Sequence, residues 1–268
     1  MSIAFIGGGN MARSMIAGLK RRGMDPHSIC VAEPVDALRT ELARDFGVRL
    51  FAHARAAADH ADTLVLAVKP QIIDQVCDEL RPVITERLPL VISIAAGVSI
   101  ARLKSRLGDL ARIVRAMPNT PALLGAGITG WHAGDDVGID ERAETESILR
   151  ACGETIWIER EDLMDAVTAV SGSGPAYYFL LTEALTNAGV AQGLPPKTAE
   201  RLARLTCSGA GLMVQASSDP VALLRERVTS PGGTTAAALA SFREDHFGAI
   251  VERAVTAATR RGQALAVD

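Results

Sequence analysis

Short apolar runs alternate with amphipathic stretches through the first 116 residues of the chain. The runs that predict buried strands are residues 3–6, 29–32, 48–51, 63–68, 90–94 and 111–116. Apolar residues recur at helical spacing over residues 11–22, 36–46, 72–80 and 100–107. Unbroken apolar runs are typical of parallel strands covered on both faces, and their alternation with helices predicts a doubly wound α/β sheet.

The pattern changes near Glu161. Before this residue, two strands and a helix are expected to complete the sheet edge, at residues 128–131, 155–158 and 141–150. Beyond it, the spacing predicts helices, at residues 162–170, 175–188, 195–215, 220–228, 235–242 and 247–266. We therefore expect two domains, residues 1–160 and residues 161–268. The helical half is too rich in apolar and small residues to bury itself alone, which predicts a homodimer with interlocked helices.

Composition and charge narrow the class of protein. The net charge of −3 offers no basic surface for nucleic acid or an anionic membrane, so neither is expected as a partner. The sequence shows neither a signal-peptide pattern nor an apolar run of membrane-spanning length. The cysteines form no C-x-x-C pair and are scattered, at Cys30, Cys77, Cys152 and Cys207. We expect a cytoplasmic protein with reduced cysteines and no bound metal.

A glycine-rich turn follows the first apolar run directly. It contains Gly7, Gly8 and Gly9, and Ala12 takes the last position of a Gly-x-Gly-x-x-Gly/Ala pattern. Between a strand and a helix, this pattern is typical of dinucleotide binding, because the glycines permit a tight turn and leave room for a pyrophosphate. The helix that begins near Asn10 would direct its N–H groups at the phosphates. Other predicted strand ends share the same rim, at Glu33 and at residues 69–70, 95–97 and 117–120.

Glu33 follows the second predicted strand, where an acidic side chain would accept hydrogen bonds from the adenosine ribose hydroxyls. The alternative is a solvated loop carboxylate. If Glu33 does face the ribose, its charge repels a 2′-phosphate, which favours NADH over NADPH.

A second glycine-rich helix start lies far along the chain. Gly232 and Gly233 stand between Pro231 and the pair Thr234-Thr235, just before a predicted helix. Consecutive N–H groups at such a start form an anion-binding nest. A substrate carboxylate is the natural anion, with the Thr235 hydroxyl beside it. An ordinary N-cap is the alternative.

The chain offers no obvious group for proton transfer. The histidines lie outside the glycine- and proline-rich stretches, at His27, His53, His60, His132 and His246. Lys197 is the only lysine of the helical half. A hydroxy-acid dehydrogenase needs a group that moves the alcohol proton, whereas a protonated imine already carries its positive charge and accepts hydride directly. The sequence therefore favours imine over ketone reduction.

Six segments resemble the pyrroline-5-carboxylate reductase family, in order and with compatible spacing along essentially the whole chain. They are residues 5–11 (FIGGGNM), 67–71 (AVKPQ), 93–98 (SIAAGV), 115–121 (RAMPNTP), 170–177 (VSGSGPAY) and 230–235 (SPGGTT). The last segment is the most specific. The resemblance implies a Rossmann-like domain followed by an all-α domain that dimerises by interlocking, with higher assemblies built from such dimers.

The resemblance also implies a set of site residues. With Glu33 added, the cofactor, NADPH or NADH, would contact Gly7, Gly8, Gly9, Asn10, Met11, Ala12, Ala67, Val68, Lys69, Pro70, Ile94, Ala95, Ala96 and Asn119. The substrate would contact Ser171, Gly172, Ser173, Gly174, Pro175, Ser230, Gly233, Thr234 and Thr235. The N–H groups of Gly233, Thr234 and Thr235 would hold the substrate carboxylate. The catalytic Thr235 would contact the ring nitrogen while hydride reaches the imine carbon of 1-pyrroline-5-carboxylate, giving L-proline in the last step of proline biosynthesis.

The chain departs from the family pattern at three places. Glu33-Pro34 stands where NADPH-preferring members often have Ser, Asn or Arg, so recognition of a 2′-phosphate is in doubt. Ala54 replaces an asparagine that many members place near the adenosine ribose, which removes one cofactor contact. Leu224-Arg225-Glu226 replaces a Leu-x-Asp sequence and is a conservative acidic exchange.

Two other functions stay open from the sequence alone. The first is an enzyme that reduces a related imine, or a β-hydroxyacid dehydrogenase relative, which would need Lys197 at its pocket. The second is a non-catalytic nucleotide-binding sensor that keeps the fold. The complete segment at residues 230–235 argues against the sensor.

Overall fold

The computed structural model describes residues 1–267, which form two compact units. The first contains Met1–Ser173 together with the end of the chain from Ala257 onward. The second contains Gly174–Thr256. This division runs between Ser173 and Gly174, and the last helical turns belong to the first unit.

Within the described residues, the first unit is built on one eight-stranded sheet with the order β3-β2-β1-β4-β5-β6-β7-β8. The strands are β1 (Ile3–Ile6), β2 (Ile29–Ala32), β3 (Arg49–Phe51), β4 (Thr63–Leu66), β5 (Leu90–Ser93), β6 (Arg112–Met117), β7 (Gly127–Ala133) and β8 (Gly153–Trp157). Strands β1 to β6 are parallel, β7 is antiparallel to β6, and β8 is parallel to β7. The predicted doubly wound α/β class is confirmed.

Helices cover both faces of this sheet. They are α1 (Asn10–Arg21), α2 (Asp36–Phe46), α3 (Ala54–Ala58), α4 (Ile73–Arg87), α5 (Ile100–Leu107), α6 (Ile139–Leu149) and α7 (Met164–Val167). Ser99 caps α5, because its hydroxyl accepts a hydrogen bond from the N–H of Arg102 at 3.2 Å. Two apolar clusters fill the faces, one including Phe5, Met15 and Ile16, the other including Leu64 and Leu80.

Helix α4 is longer than the predicted stretch 72–80. It continues through Pro82 to Arg87. A proline inside a helix removes one backbone hydrogen bond. Pro82 is exposed, so water can satisfy the carbonyl that it leaves free. The buried side chains of Val83 and Ile84 hold the following turn against the sheet. Tertiary packing thus outweighs the local proline signal.

Helix α1 approaches the backbone after α6 very closely. A Cβ added to Gly18 would clash with the carbonyl oxygen of Ala151. We expect Gly18→Ala to lower the free energy of unfolding by about 1–3 kcal/mol, because backbone cannot move aside as a side chain can. This loss exceeds the gain of about 1 kcal/mol from the better helix propensity of alanine. Urea denaturation measures it, with the exposed Arg21→Ala on the same helix as control. A Gly18→Ala protein as stable as the wild type would contradict the close approach.

The second unit is helical. Its helices are α8 (Gly174–Ala191), α9 (Pro196–Ala216), α10 (Val221–Arg227), α11 (Thr234–Glu244) and the first part of α12 (Phe247–Val267). Helices α8 and α9 meet at Gly189 and Ala199, where a Cβ added to Gly189 would lie 3.2 Å from the Cβ of Ala199. Of the described residues in this unit, Gly174, Ala199 and Ala203 alone are buried. Its apolar side chains therefore lie largely uncovered within one chain.

Two further features concern the part of the chain from residue 1 to 267. No helix described there combines the length and the apolar character needed to cross a membrane. Nor do His, Cys, Asp and Glu side chains gather there in groups of three or more that could hold a metal ion.

Candidate active site

The three glycines after β1 differ in their backbone conformation and in the space around them. Gly7 has a φ of +103°, and a Cβ on it would lie 2.7 Å from the carbonyl oxygen of Ala67. A Cβ on Gly8 would lie 2.6 Å from Cδ1 of Leu42. Gly9 has an ordinary φ of −70°, and no described atom lies within 4 Å of a Cβ built on it. Gly7 is required by the fold, a Cβ on Gly8 would displace the Leu42 side chain, and the space beside Gly9 is open.

The N-terminus of α1 is prepared for an anion. Gly9 is its N-cap residue, and no side chain described in the structure caps it. The first intrahelical bond runs from the N–H of Arg13 to the carbonyl of Gly9 at 3.0 Å. The N–H groups of Asn10, Met11 and Ala12 precede that bond, so they have no intrahelical acceptor. Such N–H groups, together with the positive end of the helix dipole, are the features that favour an anion at a helix start.

This open space permits a sharp test of the pyrophosphate assignment. We expect Gly9→Ala to weaken binding of NADH and NADPH by about tenfold, because a methyl group would occupy the space left for the phosphates. The free energy of unfolding should change by less than about 1 kcal/mol, since φ is ordinary and the site is uncrowded. Nucleotide fluorescence titration and urea denaturation measure the two quantities. Wild-type affinity in Gly9→Ala would show that the phosphates lie elsewhere.

Glu33 binds the glycine turn. Its carboxylate is 7% exposed, so it is not the solvated loop group considered from the sequence. Oε2 accepts a hydrogen bond from the N–H of Gly8 at 3.1 Å, and Oε1 accepts one from the N–H of Val35 at 3.0 Å. On the other side of Gly8, the carbonyl oxygen accepts from Nε of Arg13 at 3.3 Å. Glu33 and Arg13 therefore fix the Gly8 residue from opposite sides.

The arginine nearest to Glu33 in the sequence is engaged by its own loop. Nη1 of Arg39 donates to the carbonyl oxygens of Glu33 at 2.7 Å and Pro34 at 2.8 Å. Its Nη2 pairs with Asp36 at 2.8 Å. The loop after β2 thus presents a buried carboxylate and an arginine already bound to two carbonyl oxygens and a carboxylate. This arrangement offers little charge for a 2′-phosphate.

The loops after β4 and β5 lie at the same end of the sheet as the glycine turn. The N–H of Ala67 donates to the carbonyl of Ile6 at 2.9 Å, and the N–H of Ile94 donates to the carbonyl of Leu66 at 3.1 Å. Val68 touches the position of a Cβ on Gly7. The remaining predicted residues of these loops follow directly, with Lys69 exposed, Pro70 and Ala96 partly buried, and Ala95 buried. The structure therefore brings the predicted rim together.

Asn119 joins the end of β6 to two other segments. Its side chain is 8% exposed. Nδ2 donates to the carbonyl oxygen of Ser171 at 3.3 Å, and Oδ1 accepts from the N–H of Ile128 at 3.0 Å. The amide therefore ties the loop after β6 both to β7 and to the beginning of the predicted substrate segment.

The helical run is interrupted within the segment 171–175, as the sequence predicts, but only at Ser173. Helix α7 continues into a π-helical turn, Thr168–Gly172, closed by the bond from the N–H of Ser173 to the carbonyl of Thr168 at 2.8 Å. Gly172 permits a close approach, since a Cβ on it would lie 2.5 Å from Cε of Met117. Pro175 is the second residue of α8, where its missing N–H costs little. A π-turn of this kind is frequent at functional sites.

The second glycine-rich stretch begins α11 in the helical unit. Gly232 has a φ of +69°, and the N–H of Gly233 donates to the carbonyl of exposed Ser230 at 3.0 Å. The turn thus occupies the Gly233 N–H, which was expected to meet a carboxylate. No described side chain caps the helix, and its first bond runs from Ala237 to Gly233.

The free N–H groups of this nest belong to Thr234, Thr235 and Ala236, because α11 begins at Thr234. Thr235 is half-buried. The Ala236 N–H was not among the groups predicted from the sequence. The signal was present in the helix start, since the third residue of any helix has an N–H without an intrahelical acceptor.

The cysteines take no part in the candidate site. Burial raises the pKa of the Cys77 and Cys152 thiols to about 12. Both thiols therefore stay protonated at neutral pH and are poor nucleophiles. All four cysteines are free thiols in the described residues.

The chain is similar to known proteins along almost its whole length. Residues 161–265 match the family model described as pyrroline-5-carboxylate reductase dimerisation, and residues 2–97 match the one described as NADP oxidoreductase, coenzyme F420-dependent. The chain is 45% identical to the pyrroline-5-carboxylate reductase of Pseudomonas aeruginosa, over 98% of this chain and 96% of the relative.

Two solved structures are similar along almost their full lengths. A pyrroline-5-carboxylate reductase from Coxiella burnetii has a TM-score of 0.93 and 43% identity, over 98% of both chains. The Plasmodium falciparum pyrroline carboxylate reductase with NADP bound has a TM-score of 0.87 and 31% identity, over 99% of this chain and 98% of that one. The Rossmann-like fold and its glycine-lined rim define a dinucleotide-dependent oxidoreductase. The chain belongs to the pyrroline-5-carboxylate reductase family, which confirms the resemblance found in the sequence.

Proposed function

We propose that the protein reduces 1-pyrroline-5-carboxylate to L-proline with NADH or NADPH, the last step of proline biosynthesis. The observation that carries this proposal is the start of α11. There, uncapped N–H groups and the Thr235 hydroxyl stand together in the segment most specific to the family. An anion nest with a neighbouring hydroxyl fits a small cyclic imine that carries a carboxylate.

The residues around β1 fit a nicotinamide dinucleotide. The open space beside Gly9 and the free N–H groups at the start of α1 suit a pyrophosphate. When bound, the reduced cofactor supplies the hydride for the imine carbon. We assign its binding to Gly7, Gly8, Gly9, Asn10, Met11, Ala12, Glu33, Ala67, Val68, Lys69, Pro70, Ile94, Ala95, Ala96 and Asn119.

The residues of the helical unit would hold the substrate. The N–H groups of Thr234, Thr235 and Ala236 bind the carboxylate, and the Thr235 hydroxyl contacts the ring nitrogen. Because the protonated imine already bears a positive charge, no side chain has to deliver a proton before hydride transfer. We assign further substrate contacts to Ser171, Gly172, Ser173, Gly174, Pro175, Ser230 and Gly233. In this proposal, residues 161–268 are the substrate-binding and dimerisation domain.

We propose a homodimer formed through the C-terminal helices, and a higher assembly built from such dimers. The exposure of large apolar side chains in the helical unit supports this, because monomers rarely leave so many uncovered. They include Tyr178 at 66%, Phe179 at 68%, Leu180 at 65%, Leu205 at 62% and Leu212 at 63% exposure. A cytoplasmic location is proposed as well, supported by the free cysteines.

Steady-state assays test the activity directly. Purified protein with 1-pyrroline-5-carboxylate should oxidise NADH or NADPH and form proline in equal amounts. Absence of turnover with both nucleotides would overturn the proposal. Nucleotide binding without turnover would point to a sensor, and turnover only with other imines or with hydroxy acids would point to the related enzymes.

A further inference from the structure

A buried ion pair lies under the segment that begins the predicted substrate contacts. Arg115 on β6 and Asp165 on α7 are 5% and 6% exposed, and Nη2 of Arg115 lies 2.6 Å from Oδ1 of Asp165. The other end of the guanidinium, Nη1, lies 3.5 Å from Oε1 of Glu161. That same Oε1 accepts a hydrogen bond from the N–H of Ile100 at 2.7 Å, at the first residue of α5.

The last helix covers the same pair from another side. A Cβ added to Gly262 of α12 would lie 3.2 Å from Oδ1 of Asp165. The glycine therefore lets the helix backbone rest against the carboxylate. Every group in this cluster belongs to the first unit.

Burial of this pair is weak support for stability. Removing two charges from water costs several kcal/mol, and well-packed apolar replacements of a buried pair are often neutral or stabilising. What the pair offers instead is a defined geometry, because the planar guanidinium bonds its acceptors in fixed directions.

Both members of the ion pair are close in the sequence to residues of the candidate site. Arg115 is two residues before Met117, on which Gly172 rests, and four residues before Asn119, which binds the Ser171 carbonyl. Asp165 is three residues before the π-helical turn Thr168–Gly172. The ion pair and the Asn119–Ser171 bond thus join the same two segments at two points. One segment ends β6 and the other leads into the substrate contacts.

We propose that Arg115 is a positioning residue of the reductase. Its ion pair with Asp165 fixes the position of the π-helical turn relative to Met117, the last residue of β6, and to Asn119 in the loop that follows. The position of Ser171 and Ser173 is fixed with the turn. This inference rests on the proposed function for its kinetic consequence, but not for its structural one.

The test uses the double variant Arg115→Met/Asp165→Leu in the full-length protein. The unfolding temperature should stay close to that of the wild type, because apolar side chains replace the whole pair. The dissociation constant for NADH should also stay unchanged. The value of kcat should fall about 10- to 100-fold, since a displacement of about 1 Å is enough for such losses. The primary isotope effect on kcat with deuterated NADH should reach its full intrinsic size, because hydride transfer then limits turnover.

A second readout does not depend on activity. Amide hydrogen exchange of residues 168–173 should accelerate in the double variant, since the bond from Ser173 to Thr168 loses its support. Arg112→Met is the control on the same strand; its guanidinium pairs with Glu141. It should change neither kcat nor exchange of residues 168–173.

Wild-type kcat or wild-type exchange of these residues in the double variant would overturn the proposal. So would a lower kcat that shows no isotope effect. If the double variant does not fold, Arg115→Lys serves in its place. Lysine keeps the positive charge but lacks the two guanidinium nitrogens that contact Asp165 and Glu161. A wild-type kcat in this variant would also contradict the proposal. If the wild type itself does not reduce 1-pyrroline-5-carboxylate, the proposed function fails. Amide hydrogen exchange then still tests whether the ion pair holds residues 168–173 in place.

Discussion

Replacing Thr235 with alanine is expected to lower kcat/KM for 1-pyrroline-5-carboxylate about 100-fold, since a hydrogen bond to a charged group is worth about 1.5–3 kcal/mol. The backbone N–H groups at the start of α11 are untouched by this change, so the carboxylate nest persists. The dissociation constant for NADH should therefore stay within about twofold of the wild-type value, a difference well below 1 kcal/mol. Steady-state kinetics and nucleotide titration measure the two effects separately.

Two variants control for the Thr235 result. Thr235→Ser restores a hydroxyl and should recover most of the activity. Ser241→Ala removes an exposed hydroxyl from the same helix and should leave the kinetics unchanged. If Thr235→Ala lost NADH affinity and activity equally, or lost neither, the assigned role of the hydroxyl would be wrong.

Replacing Glu33 with serine should shift the cofactor preference toward NADPH. We expect the ratio of kcat/KM with NADPH to that with NADH to rise about 100-fold, because an unfavourable like-charge contact costs several kcal/mol. NADH should also bind more weakly than to the wild type. The N–H groups of Gly8 and Val35 lose their acceptor in this variant, and the glycine turn becomes less ordered.

The ratio separates two roles of Glu33. If its carboxylate only holds the glycine turn, both nucleotides lose affinity equally and the ratio stays constant. If it also repels a 2′-phosphate, the ratio changes. Glu86→Ser alters the net charge equally at an exposed position of α4 and should affect neither nucleotide. An unchanged ratio in Glu33→Ser would leave the carboxylate with a structural role alone.

The centre of the sheet was predictable because its strands are buried on both faces. Apolar runs such as residues 3–6 and 29–32 match β1 and β2 residue for residue. Helix ends were predictable where a local signal decides them, as at Ser99. Where packing decides, the local signal fails. Helix α4 passes Pro82 because Val83 and Ile84 are buried. Helix α7 continues into the π-turn Thr168–Gly172, where Gly172 fits against Met117.

The candidate site shows the same division. A carboxylate at position 33 and a nest near residue 233 follow from residue type and spacing. The partner of Glu33 does not follow from them, since Gly8 lies 25 residues earlier in the chain. Nor does the use of the Gly233 N–H within its own turn, because that depends on the φ of Gly232. The Arg115–Asp165 pair joins residues 50 positions apart and carries no local signal at all.

By itself, the sequence determined the class of fold and the family, and it predicted two glycine-rich anion nests. These depend on short-range patterns: apolar runs, glycines at fixed offsets and the segment SPGGTT. Only the tertiary structure decided which polar groups are free to meet a ligand. Donors and acceptors take the partners that the folded backbone brings within reach, some near in the sequence and others far away. Glu33, Arg39, Asn119 and Gly233 are all engaged by such bonds, whereas the space beside Gly9 and the first N–H groups of α1 and α11 are left open.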